Sequence, residues 1–181
     1  SSGESQWITG ALARADGQYW RARSCAVITG AGTVRTDDPR LDVREQNYAA
    51  NGRLRQPLRV VVDSAGKLAR DAAILRGDGN VLIACGKHGA AHHPDAEVYR
   101  QYGEVVDLGA LLDHLGELKC NEVLVEAGPT LAGGFIAENL WDELILYLAP
   151  KLMGMDARPL VNLQLSNMAD VVEGRIVNSK M

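Results

Sequence analysis

An α/β domain built on a largely parallel sheet is the fold this sequence predicts, and three observations predict it. Short β-branched runs recur along the chain, stretches of helical spacing separate them, and no internal repeat or low-complexity linker interrupts the alternation. In "SQWITGALARADGQYWRARS" (5–24), Ile8, Leu12, Ala15 and Tyr19 fall on one helical face, with Thr9 placed as the N-cap. "CAVIT" (25–29), "LRVVVD" (58–63), "VLIAC" (81–85), "GEVVDL" (103–108) and "EVLVEA" (122–127) are runs of the kind buried in a sheet. "GALLDHLGELK" (109–119) and "PTLAGGFIAEN" (129–139) read as helices flanking it. "DELILYLAP" (142–150) reads as a further strand, and "ADVVEGRIVNSKM" (169–181) alternates like an antiparallel edge hairpin at the C-terminus. The polar stretch "REQNYAANGRLRQ" (44–56) is expected to be an exposed loop, so residues 1–181 form a single domain.

Composition narrows the function classes. The 181 residues are 46% hydrophobic and 23% charged, ordinary for a soluble globular domain with a real core. The longest apolar run, 144–149, is too short to span a bilayer, and "SSGESQWITG" lacks a signal-peptide core. Cys25, Cys85 and Cys120 are far apart with no C-x-x-C, which argues against a zinc site or a disulfide framework and suits a reducing cytoplasm. A net charge of −4 makes nucleic acid an improbable partner. Residues 1–60 nevertheless carry nine arginines against six acids, a balance suited to a small anionic ligand. On counting alone, solvated surface arginine is the favoured explanation.

The stretch "EVLVEAGPTLAGGF" (122–135) carries the first candidate site. Gly128 turns the chain off a strand, and Pro129 suits the first helical position. The amides of the helix start then face the carboxyl edge of the sheet, where ligands of open α/β sheets bind. Gly133 and Gly134 would let a ligand or a neighbouring strand approach, or serve packing alone. No lysine follows the glycines as a P-loop requires, and "GAG" (30–32) meets Arg35 where a G-x-G-x-x-G fingerprint needs its third glycine. His88, His92 and His93 are flanked by Gly89 and Pro94 and lack an acidic or cysteine partner at metal-site spacing, so no metal is expected. Ser64 has no G-x-S-x-G elbow. Trp7, Trp20 and Trp141 taken singly suit core or interface.

Taken in order, "SQWIT" (5–9), "RARSCAVITGAGTVRTDDPRLDVR" (21–44), "RVVVDS" (59–64) and "VEAGPTLAGGFIAENLWDELILYLAPKLMG" (125–154) closely resemble the reductase domain of bacterial riboflavin-biosynthesis deaminase/reductases. The resemblance implies a dihydrofolate-reductase-like α/β fold. It also implies NADPH-dependent reduction of a phosphorylated ribosylaminouracil to its ribitylamino form, in a multifunctional, cytoplasmic enzyme. By the same resemblance Ser5, Arg21, Leu41, Arg44 and Glu126 hold the substrate. Trp7, Thr33, Asp37, Ser64 and the turn Gly128, Pro129, Thr130, Leu131, Ala132, Gly133 and Gly134 contact the cofactor, whose pyrophosphate the turn would cradle. Forked arginine donors at Arg21 and Arg44 suit a ribose phosphate dianion. Asp37 and Glu126 are the candidate acid and base for opening the sugar ring. For Asp37, in "TDDP", a helix or turn cap is the competing role.

Members of that family usually carry an N-terminal zinc deaminase domain with H-x-E and P-C-x-x-C motifs, and open the reductase domain with a lysine-bearing strand and an "SLDG"-like segment. Neither is in these residues, so the sequence is expected to be a piece of a longer chain, with zinc belonging only to the missing deaminase. A homodimer is expected; for "NLWDELILYLAP" (139–150), core packing is the first expectation and a dimer contact the second. A same-fold reductase of another substrate such as a pterin is the alternative, though a pterin has no phosphate for Arg21 and Arg44. A non-catalytic dinucleotide-binding domain is the other.

Overall fold

Successive side chains of a strand point to opposite faces of a sheet, so each apolar run must find cover on both sides or leave one face wet. The computed structural model describes residues 8–89, 93–155 and 157–180. Here β1 (Ala26–Gly30), β2 (Leu58–Val62), β3 (Val81–Cys85), β4 (Glu97–Arg100) and β5 (Val123–Val125) form one parallel sheet in the order β4-β3-β2-β1-β5. Ala26, Ile28, Val60, Leu82 and Ala84 pack against α3 (Leu108–Glu117) and α4 (Pro129–Ala137) through Leu108, Leu111, Leu115 and Phe135. Val27 and Val61 belong to a second cluster with Ala31 and Val34 of α2 (Ala31–Asp37) and with Leu41, Ala72 and Ile74. Cover on both faces is why the strand sequences are continuous apolar runs rather than alternating ones.

The arginine-rich first third is spent largely on structure. Arg59, wholly buried in β2, donates to the carbonyls of Arg76, Asp78 and Gly79 at 2.8–3.0 Å. One Arg55 nitrogen takes the carbonyls of Ala22, Arg23 and Ser24 at 2.7–2.9 Å, where the carbonyl-rich end of α1 (Ala11–Arg23) attracts a cation.

Several sequence expectations need correction. The N-cap of α1 is Gly10, not Thr9, whose carbonyl instead accepts from Arg14. The apolar face expected to anchor that helix is turned outward, with Leu12 88% exposed; the buried residue is Gln18. The strand expected at 103–108 is replaced by β4, which occupies the outer edge of β3. Residues 103–106 instead cross over Gly86, where a side chain would collide with the Glu104 carbonyl, and Asp107 caps α3 by accepting from the Ala110 amide at 2.9 Å. Among the described residues, neither the strand at 142–150 nor the antiparallel C-terminal hairpin forms. Leu144, Leu146 and Leu148 are exposed and take no part in the core of the described residues. A β-rich composition needs a ladder to join, and the described part of β5 pairs on its β1 side alone. This segment touches the body in places: Tyr147 donates to Asp16 at 2.6 Å, and the Asn162 amide to the Pro129 carbonyl at 2.9 Å.

Candidate functional site

The carboxyl ends of β1 and β5 lie side by side, because these two strands pair in parallel with Ile28 opposite Val125. Each continues into a turn and a helix, which brings together chain segments about a hundred residues apart. The Gly128 amide donates to Thr33 Oγ1 at 3.1 Å, tying the start of α4 to the first turn of α2. Glu126, directly after β5, accepts from Arg21 of α1 through both oxygens, at 2.6 and 2.7 Å. This is a forked pair, with the Arg21 side chain 17% exposed. Burial pulls the Arg21 pKa down, but its hydrogen bonds to Glu126 and the charges of Glu126 and Asp42 outweigh that and hold it above its ordinary value.

Beside this pair lies a cleft of about 320 Å³ whose walls include Arg21, Leu41 and Arg44, three of the residues expected to hold substrate. The chain reaches it through Asp38 and Leu41, both at positive φ (39° and 53°). For non-glycine residues such a conformation costs on the order of 1–2 kcal/mol and must be held by its surroundings. Asp38 is held by its own carboxylate, which accepts from the Ala73 amide at 2.7 Å, and Leu41 by burial in the second core cluster. Within the cleft Asp42 pairs with Arg40 at 2.9 Å and Arg44 at 3.5 Å. The same three side chains also border a larger cleft of about 680 Å³ toward Arg53 and Gln56.

The second expected site, the turn at 128–134, divides. Gly128 is the N-cap of α4 with Pro129 in the first position; the Gly128 amide is taken by Thr33 Oγ1 and Pro129 has no N–H, so the amides of Thr130 and Leu131 are the ones open to an anion. Gly133 and Gly134 are bare for packing: a side chain at Gly133 would strike the Asn162 main chain, and one at Gly134 would press on Leu108. Leu131 rests on Gly30, and Thr130 Oγ1 accepts from Asn162 Nδ2 at 3.1 Å. Ser64 ends the neighbouring β2 turn, and its hydroxyl oxygen accepts from the Val106 amide at 3.1 Å. Asp37 is exposed at the last position of α2. Ser5 and Trp7 lie outside the described residues, as does His92. Among the described residues, no group of three or more His, Cys, Asp or Glu side chains is arranged to hold a metal.

Asp42, Gln18 and Gln56 were not anticipated. Asp42 had a signal, an acid at two-residue spacing between Arg40 and Arg44. The glutamines had none, since an amide in a polar context announces nothing.

Comparison with known proteins bears on the family and the fold. The family model described as the RibD C-terminal domain matches residues 1–178. Riboflavin biosynthesis protein RibD of Escherichia coli (strain K12) is 41% identical over 94% of this chain and 49% of its own length. The chain thus spans about half the length of such curated relatives. The 5-amino-6-(5-phosphoribosylamino)uracil reductase of Buchnera aphidicola subsp. Acyrthosiphon pisum is 31% identical over 88% of this chain and 82% of its own length. A solved structure of Acinetobacter baumannii RibD superposes with a TM-score of 0.85 at 36% identity, over 98% of this chain and 49% of that one. With family model, relatives and fold in agreement, this chain belongs to the RibD C-terminal reductase domain family.

Proposed function

We propose that this domain carries out the NADPH-dependent reduction of 5-amino-6-(5-phosphoribosylamino)uracil to 5-amino-6-(5-phosphoribitylamino)uracil, within a longer cytoplasmic, homodimeric protein that also holds a zinc deaminase domain. The observation that carries the reading is the cleft uniting Arg21, Leu41 and Arg44 beside Glu126. The named reductase among the relatives supports the substrate class, the half-length match supports a fused further domain, and exposed Leu144, Leu146 and Leu148 support a contact between copies. No helix among the described residues is long and apolar enough to cross a membrane.

The residues fit a dinucleotide at the start of α4, where the amides of Thr130 and Leu131, in a turn that Thr33 holds through the Gly128 amide, would receive its pyrophosphate. Ala132, Gly133 and Gly134 would contribute through the position of the helix, since both glycines face protein. Ser64 and Asp37 would flank the cofactor, with Ser5 and Trp7 completing the site. When bound, the reduced nicotinamide supplies the hydride.

The protein's own task is alignment and proton handling. Arg21 has its fork committed to Glu126, so of the two arginines expected to hold substrate it is Arg44, exposed and held by one carboxylate, that is free to turn to a phosphate. Glu126, with both oxygens accepting from Arg21, is suited to orient the substrate. Asp37, exposed at the end of α2, is the better placed to exchange a proton with solvent during ring opening. The test is NADPH oxidation by the full-length protein given the deaminated ribosylaminopyrimidine phosphate, beside an Arg44→Ala variant. Turnover in the parent and a KM raised about 10- to 100-fold in the variant are expected. No oxidation despite NADPH binding would sink the reductase reading.

A further inference from the structure

Residues 41–43 are buried yet belong to neither helix nor strand, so their main-chain groups have no ladder to satisfy them. Buried amides and carbonyls must nevertheless be paired. Two side-chain amides pair them. Gln56 Oε1 accepts from the Val43 amide at 2.8 Å, and Gln56 Nε2 donates to the Val43 carbonyl at 2.9 Å, as a neighbouring strand would. Gln18 Oε1 accepts from the Arg44 amide at 2.8 Å, and its Nε2 lies 3.4 Å from the Asp42 carbonyl. Gln18 is itself 6% exposed and sits one helical turn before Arg21, so α1 carries both the Glu126 partner and one half of this clamp.

We propose that Gln18 and Gln56 are positioning residues that hold Arg44 at the phosphate end of the substrate cleft. The inference rests on the reductase reading above and deepens it. Arg44 itself lies just past these buried residues, with its side chain two-thirds exposed and one carboxylate beside it. A long side chain on an unpaired loop samples many positions, and each lost order of pre-organisation weakens phosphate capture in proportion. A two-amide clamp supplies rigidity without placing another charge beside the phosphate. The pattern also explains why polar residues stand at two largely enclosed positions, where an apolar residue would leave the main-chain groups of Val43 and Arg44 unpaired.

The experiment uses the full-length protein with Gln56→Met and Gln18→Met, which keep chain length and remove both bonds, and Gln56→Glu, which keeps the acceptor for the Val43 amide in case the methionine variants do not fold. Each is assayed with the phosphorylated ribosylaminopyrimidine and with its dephosphorylated form. Expected is a fall in kcat/KM of about tenfold for the phosphorylated substrate, carried by KM with kcat within about twofold, and no change for the dephosphorylated one. On an Arg44→Ala background the glutamine substitutions should add nothing. Equal losses on both substrates, or full additivity with Arg44→Ala, would overturn the proposal and leave the amides a purely structural role. Should the parent fail to oxidise NADPH, the reductase reading falls separately. Calorimetric titration with ribose 5-phosphate then decides the clamp: binding weakened in all three variants supports it, and unchanged or undetectable binding overturns it.

Discussion

The cleft at 38–44 and the turn at 126–134 meet at one edge of the sheet and are built in opposite ways. The cleft is made of side chains: Asp42 on Arg40 and Arg44, Arg21 on Glu126, two glutamines on the main chain. The turn is made of main chain, with Pro129 and Gly128 opening the helix and Gly133 letting Asn162 lie directly on it. Side-chain sites tolerate small shifts and are tuned by charge. Main-chain sites tolerate added volume poorly, and their preference for an anion is set by the backbone rather than by side-chain charge. The difference teaches that a glycine-rich signature need not have its glycines in the ligand site. Here the one nearest the open amides is Gly128, and the later pair serves packing.

The largest effect on stability should come from Gly133→Ala. Its new Cβ meets the Asn162 carbonyl, a main-chain atom that cannot swing away, so a loss of about 1–3 kcal/mol is expected despite the better helix propensity of alanine. Urea unfolding measures it. Undiminished stability with weakened NADPH binding would instead put the ligand against Gly133 and make its glycine part of the ligand site.

Next comes Arg21→Ala, which strands the Glu126 carboxylate beside the cleft. Allowing for the partial exposure of Glu126, about 1–2 kcal/mol should be lost. Arg21→Lys should recover only part of this, because an ammonium cannot fork onto two oxygens. Full recovery with lysine would mean that the pair acts as charge alone, and thermal denaturation of the two variants tells them apart.

Gly128→Ala should cost less than about 1 kcal/mol. Its φ of −71° suits any residue, and the added carbon meets Thr33 Oγ1 at ordinary contact distance. A collapse of stability here would make the start of α4 as crowded as its middle.

The smallest effect concerns pH. Because the folded-state pKa of Arg21 is raised, its contribution to stability is fully present below the unfolded value and is lost only as pH rises through the folded one. Both lie well above working pH. The stability difference between parent and Arg21→Ala should therefore be the same at pH 7 and pH 10; a difference that shrinks between them would show that Arg21 titrates in that interval.

Much of the fold was legible beforehand because burial on both faces writes itself into composition. β1, β2, β3 and β5 fall where "CAVIT", "LRVVV", "VLIAC" and "VLV" stand, and α3 and α4 fall between or after them. The two strand expectations failed separately. "GEVVDL" has the residues of a strand, but Glu97–Arg100 had taken the edge of β3. "DELILYLAP" does not pair with the described part of β5, whose outer side stays open, and nothing in the structure explains that. α1 forms as the helix expected, but with another face buried. Its apolar face was legible, yet its buried contact is polar, through Gln18, so periodicity pointed the helix the wrong way.

The sequence by itself determined the parallel α/β core, the strand-to-helix turn at Gly128 and Pro129, and a pool of arginines large enough to serve an anion. Each depends on neighbours along the chain, or on composition that burial demands. Only the tertiary structure decided which arginines remained for a ligand. Arg55 and Arg59 went to carbonyls and Arg21 to Glu126, 105 residues away, leaving Arg44 exposed at the cleft. Such pairings follow from which chain ends the sheet order β4-β3-β2-β1-β5 brings side by side, and no local pattern carries that order.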